Sequence, residues 1–284
     1  MTNPLITARD AFASNHKETR FQRQGRDWGL IDTGGDGPAL LLIPGTLGRA
    51  DIFFRQIAAL SPRLRILAVS HPGGGTLGDW VEDIVALLDA RGINQAAVLG
   101  SSLGGYMAQL LAGLHAGRVS HLFAANTLPS VKGIDQIPPY SNDIWAAPIA
   151  DLRAGFGRGL GAWAESHPEQ ADLVALLMAE VGGRIPETEL RARLDALKGA
   201  PELPECTLPA EAITVIDAAD DPLIPPPWRK AVRDRLKPGA AFGFLSGGHF
   251  PYLVRPELYT ALISARLGLA PLPAEWGAGP EHCA

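Results

Sequence analysis

Two serines stand side by side in "AAVLGSSLGGYMAQLL" (residues 96–111), between an apolar run and a glycine pair. A serine on a tight strand-to-helix bend is exposed enough to attack an electrophile. Such a bend needs small residues two places on either side of it, because the reversal brings those backbones together. Gly100 and Gly104 meet that requirement around Ser102, whereas centring on Ser101 would put Leu99 and Leu103 there. Ser102 is therefore the candidate nucleophile. The helix that follows is expected to begin at Leu103, so its first amides and its dipole face any anion formed beside the serine oxygen.

Serine is a weak nucleophile at neutral pH, and it needs a histidine base whose imidazole is held by a carboxylate. Both should arrive on loops at the carboxyl ends of later strands. "FLSGGHFPYLVRPE" puts His249 in a glycine-flexed loop after the last clear strand, while His121 lies inside a strand and His282 near the end of the chain. "VIDAADDPLIPPP" offers three acids. Asp217 ends a strand, and the D-x-x-x-P spacing to Pro225 selects Asp221, with Asp220 as runner-up and alternatively a turn carboxylate. The place after the preceding strand holds Asn126, which is no carboxylate. The chemistry also needs donors for an oxyanion. One is the backbone N–H of Leu103. The other is expected from "IPGTLG" (43–48), with Thr46 first and Leu47 second.

The elements that must carry these groups are legible as alternating short apolar runs and amphipathic stretches: 39–45, 49–60, 64–70, 77–93, 96–101, 104–115 and 119–127. That rhythm predicts a parallel sheet with helices on both faces. "TRFQRQG" and "WGLIDTGGDG" predict an antiparallel hairpin at its edge. After the sixth strand a proline-rich passage interrupts the pattern, and residues 140–199 show only helical periodicity. The sheet then resumes with strands at 212–218 and 240–246 and helices near 226–236 and 256–267. The expected organisation is a core of residues 1–130 and 207–270, a helical cap at 131–206 and a loose tail at 271–284. Trp145, Phe156, Leu160, Trp163 and Met178 are candidate linings of a substrate pocket under the cap, with Leu47 contributing from the core.

The 284 residues carry a formal net charge of −5 from scattered acids and bases, which gives no electrostatic footprint for nucleic acid. Two cysteines, Cys206 and Cys283, form neither a metal motif nor a disulfide framework. The seven histidines never fall at metal-ligand spacing. No run of eighteen apolar residues and no signal-like segment occurs, so the expectation is a cytoplasmic protein without a membrane span.

"IPGTLG", "GSSLGG", "DDPLIP" and "GGHFPYL" follow one another as they do in the α/β-hydrolase fold, which the chain resembles over nearly its whole length. "GRADIFFRQIAAL", "GSSLGGYMAQ" and "FPYLVRP" are more narrowly similar to the maspardin branch. The resemblance implies a mostly parallel sheet covered on both faces with a helical cap inserted after the sixth strand, and a serine hydrolase without a cofactor acting on an ester through an acyl-enzyme. The same groups would serve lactone, thioester, amide or carbon–carbon bond hydrolysis, or acyl transfer. Animal maspardins lack the acid and the histidine and are thought to bind proteins, which keeps a non-catalytic scaffold as the alternative. Asp221 and His249 depart from that pattern, and Pro44 stands where many hydrolases have histidine. A partly apolar small molecule is the expected partner, with the protein a monomer or homodimer.

Overall fold

The computed structural model describes residues 3–277 and 281–284. The chain opens with helix α1 (Pro4–Asn15), capped by the Asn3 side chain accepting from the Ile6 amide at 2.9 Å. Strands β1 (Thr19–Arg23) and β2 (Arg26–Asp32) form the expected hairpin. There follow β3 (Ala39–Ile43), α2 (Phe54–Leu60) behind a short 3-10 turn, β4 (Arg65–Ser70), α3 (Leu77–Ala90), β5 (Ala96–Ser101), α4 (Leu103–Leu114) and β6 (Val119–Ala125). Three helices come next: α5 (Ile149–Ser166), α6 (Ala171–Ala179) and α7 (Glu187–Lys198). The sheet resumes with β7 (Ile213–Ala218), α8 (Pro226–Leu236), β8 (Ala240–Phe244), α9 (Pro251–Val254), α10 (Pro256–Arg266) and β9 (Glu281–Cys283).

Among the described residues these strands make one nine-stranded sheet in the order β1-β2-β4-β3-β5-β6-β7-β8-β9. The hairpin edge is antiparallel and every pairing from β4 through β9 is parallel. Its strands are apolar on both faces because helices cover both. Leu41 and Ile43 share one packed layer with α3, α4 and α8, while Leu40 and Leu42 share the other with α2 and α10. Burying each such side chain contributes roughly 1.5–3 kcal/mol. The two layers clamp the central strands β3, β5 and β6, whose carboxyl ends converge on one edge.

The carboxyl-terminal segment is a correction. The segment is anchored at two points: Trp276 is buried against the edges of Phe242 and Phe244, and β9 adds a parallel strand to β8, while much of the rest is exposed. Periodicity could not announce a three-residue strand whose only reward is an otherwise unpaired sheet edge. The rest of the expected tail, residues 278–280, lies outside the described residues. No helix among the described residues is long and apolar enough to cross a membrane.

Candidate active site

Ser102 sits between β5 and α4 with φ 57° and ψ −119°, a conformation that L-residues rarely adopt and that costs of order 1–3 kcal/mol. Its surroundings enforce it. A Cβ on Gly100 would run into the Gly104 carbonyl, and one on Gly104 would meet the carbonyls of Ile43 and Pro44, the latter at 2.6 Å. The Ser102 amide is held by Ala125 O at 2.9 Å, and its carbonyl accepts both the Tyr106 amide at 3.0 Å and Thr127 Oγ1 at 2.8 Å. Ser101 is buried at the end of β5, whereas Ser102 is partly accessible. The first intrahelical bond of α4 is the one from Tyr106 to Ser102, so the Leu103 amide has no partner within the helix.

The loops after β7 and β8 meet at this bend. His249 Nδ1 lies 2.8 and 3.0 Å from the two carboxylate oxygens of Asp221. Asp221 also accepts the Leu223 and Ile224 amides at 2.8 and 3.1 Å and Asn126 Nδ2 at 2.8 Å. Burial opposes ionisation of this carboxyl. The charge and hydrogen bond of His249, with the bonds from Asn126 and Leu223, outweigh it and hold the group below the usual carboxylate range. With Nδ1 committed to Asp221, His249 Nε2 is buried and has no partner among the described residues. His249 and Ser102 line the same cavity.

Asp220 does different work: its two oxygens accept the Gly247 and Gly248 amides at 3.0 and 2.9 Å. Both glycines have positive φ, 145° and 56°, so the carboxylate fixes the bend that delivers His249. Asp217 turns away and pairs with Arg233 at 2.6 Å, and burial raises its pKa despite that partner.

Asn126 was passed over in the sequence because it is no carboxylate, yet it has a positive φ of 42° and bridges Asp221 to the Gly248 carbonyl at 3.4 Å. Its position one residue beyond β6 was the available signal. His71 was also missed. Fully buried and tilted or stacked against Trp28 and Trp80, it donates through Nε2 to Pro44 O at 2.8 Å. Burial, aided by the charge of Arg193, lowers its pKa to about 3, so the ring is neutral at physiological pH. Pro44 O belongs to the loop containing Thr46 and Leu47. That loop touches the serine bend, since a Cβ on Gly45 would stand 3.0 Å from Ser102 Cβ.

The cavity has a volume of about 880 Å3 and reaches from Ser102 and His249 to α5 and α6. Leu47, Phe156, Leu160 and Trp163 line it. Trp163 also packs on the histidine loop, its Cζ2 lying 2.8 Å from where a Gly248 Cβ would be. Trp145 and Met178 are corrections. Trp145 is half exposed and donates from its indole to Asp195 at 3.0 Å, and Met178 is 42% exposed; neither lines the cavity. Apolar residue type alone did not reveal which way each residue faced.

Residues 40–262 match the profile of the alpha/beta hydrolase family. The zebrafish (Danio rerio) protein maspardin is 26% identical over 236 residues, spanning 80% of this chain and 74% of its own. A putative carbamate hydrolase, RutD, from Escherichia coli is 25% identical over 252 residues, 80% of this chain and 89% of its own. The crystal structure of a hydrolase from Pseudomonas aeruginosa PA01 superposes with a TM-score of 0.74 at 22% identity, covering 89% of this chain and 98% of that one.

Proposed function

The chain belongs to the α/β-hydrolase family, and from that premise we propose that it is a serine hydrolase cleaving a carboxylic ester, or a similarly activated acyl compound, through an acyl-enzyme. The observation that carries this reading is the pairing of His249 Nδ1 with Asp221, which leaves a buried, unpartnered Nε2 on a residue that lines the same cavity as Ser102.

In this mechanism Ser102 Oγ attacks the acyl carbon while its proton passes to His249 Nε2. Asp221 fixes the tautomer and stabilises the imidazolium, remaining ionised itself. The carbonyl oxygen becomes an oxyanion, met by the Leu103 amide at the start of α4 and by an amide of the 44–48 loop, Thr46 first and Leu47 second. Collapse expels the alcohol, which takes the proton from His249. A water then gives its proton to the same nitrogen as it attacks the acyl-serine, and the second collapse releases the acid while His249 returns that proton to Ser102 Oγ. Residues 131–206 serve as the cap over a core of residues 1–130 and 207–270, and Phe156, Trp163 and Leu47 bound the apolar part of the substrate. A carbamate, the compound class named for the Escherichia coli relative, is one acyl compound that the same groups would handle.

Activated nitrophenyl esters of graded acyl length test the proposal. We expect a burst of nitrophenol stoichiometric with enzyme, followed by slower turnover, and neither in Ser102→Ala. A wild-type protein inert to the whole series would favour a scaffold that binds without catalysis.

A further inference from the structure

The loop that faces Ser102 is gripped from behind by a residue of α7. Arg193 is fully buried, and its Nη1 donates to Thr46 O at 2.9 Å and Gly48 O at 2.8 Å. Two more carbonyls of the turn are occupied as well: Pro44 O accepts from His71, and Gly45 O accepts the Gly48 amide at 3.1 Å. Among the described residues the amides of Thr46 and Leu47 meet no backbone acceptor. A trans peptide sets each carbonyl opposite the N–H that follows it. Turning Thr46 O onto Arg193 therefore turns the Leu47 N–H the other way, and the grip of Gly48 on Gly45 O does the same for the Thr46 N–H.

We propose that Arg193 is a positioning residue: resting on the hydrolase reading above, it holds the 44–48 loop with its carbonyls turned back and its Thr46 and Leu47 amides available to a developing oxyanion. Its net charge is not the device. Nη2 pairs with Glu189 at 3.1 Å, Glu189 also meets Arg49 at 3.3 Å, and Arg49 pairs with Glu18 at 2.7 Å, so two cations face two anions. What the guanidinium supplies is a rigid fork that two carbonyls can share, which a lysine cannot reproduce. Because α7 lies in the segment between β6 and β7 that also walls the cavity, the brace makes donor geometry depend on the seating of that segment. A loop left to relax would present carbonyl dipoles, which oppose the oxyanion.

The test compares Arg193→Met, Arg193→Lys and Arg193→Ala with wild type on a short nitrophenyl ester, with circular dichroism and thermal melting run on each. Arg184→Met is the control, since Arg184 is another arginine of the same segment, paired with Asp51 and Glu180 and not with the loop. For Arg193→Met we expect kcat to fall about 10²–10³-fold, the loss typical of an oxyanion donor, while KM changes little and the folded signal persists. Arg193→Lys should fall between, and low guanidinium should restore part of the kcat of Arg193→Ala. Arg184→Met should lower the melting temperature and keep its kcat. Wild-type kcat in a folded Arg193→Met overturns the brace, as does an equal kcat loss in Arg184→Met or a loss that guanidinium does not rescue. A wild type that forms no acyl-enzyme overturns the hydrolase reading and this inference with it.

Discussion

The strand-end site and the helix that covers it are built on opposite terms. At the site, the groups that set the geometry are tied down: Asp221 takes four separate donors, Asp220 takes two amides, and Ser102 is held through both its amide and its carbonyl. Over it, α5 has a single buried residue, Leu152, and glycine at 155, 157, 159 and 161. Each glycine inside a helix costs about 1 kcal/mol relative to alanine, and the space around Gly159 and Gly161 is open. Geometry is over-determined where bonds would be made and broken, and under-determined where a substrate would be admitted. On the proposed reading, reaction type would be set by the rigid part and substrate choice by the loose one.

Variants can break that contrast. The largest effects belong to Ser102→Ala and His249→Ala, each expected to lower ester turnover by roughly 10⁴–10⁶-fold with the fold intact, as kinetics alongside circular dichroism would show. Asp221→Asn should lose about 10²–10⁴-fold, since it leaves the imidazole in place with the wrong tautomer. Asp220→Asn should cost less than Asp221→Asn, as it loosens a bend without touching the ring. If it costs more, the two acids have exchanged roles.

The rigid region should also carry an acid signature. The pKa of Asp221 is depressed in the folded protein, so the stability it contributes is complete above about pH 4 and is lost as the pH falls through the lower, folded value. Thermal melts across that range should show a shallower acid decline in Asp221→Asn than in wild type. Asp217 acts in the opposite sense: its pKa is raised by burial, so its contribution is present at low pH and fades as the carboxyl ionises.

Smaller effects are expected in the cover. Phe156→Ala should change KM and acyl-length preference more than kcat. Gly161→Ala, facing open space, should raise stability by about 0.5–1 kcal/mol, read from denaturant midpoints. Trp145→Ala should leave kinetics unchanged, because its side chain lies outside the cavity.

What the sequence made legible follows the same division. The bend at Ser102 is specified by glycines within five residues, and the order of strands and helices by local periodicity, so both are readable along the chain. Residues acting across long separations are not. Asn126 meets Asp221 from 95 positions away, with only its place at the end of β6 as a sign, and Arg193 meets Thr46 from 147, with nothing near it to mark the encounter. Trp163 and Trp145 look alike in sequence, but Trp163 sits on α5 and lines the cavity whereas Trp145 lies in the turn before that helix, half exposed. Likewise α1, whose apolar residues form no strong stripe, is explained by the α6 surface on which it packs, not by its own pattern.

The central claim is that a strained serine is served by a distant imidazole, and a fluorophosphonate probe followed by peptide mapping tests it most directly. The account predicts one phosphonyl adduct, on Ser102, absent in Ser102→Ala and formed far more slowly in His249→Ala. An adduct on Ser101, no adduct at all, or labelling indifferent to His249 would contradict it.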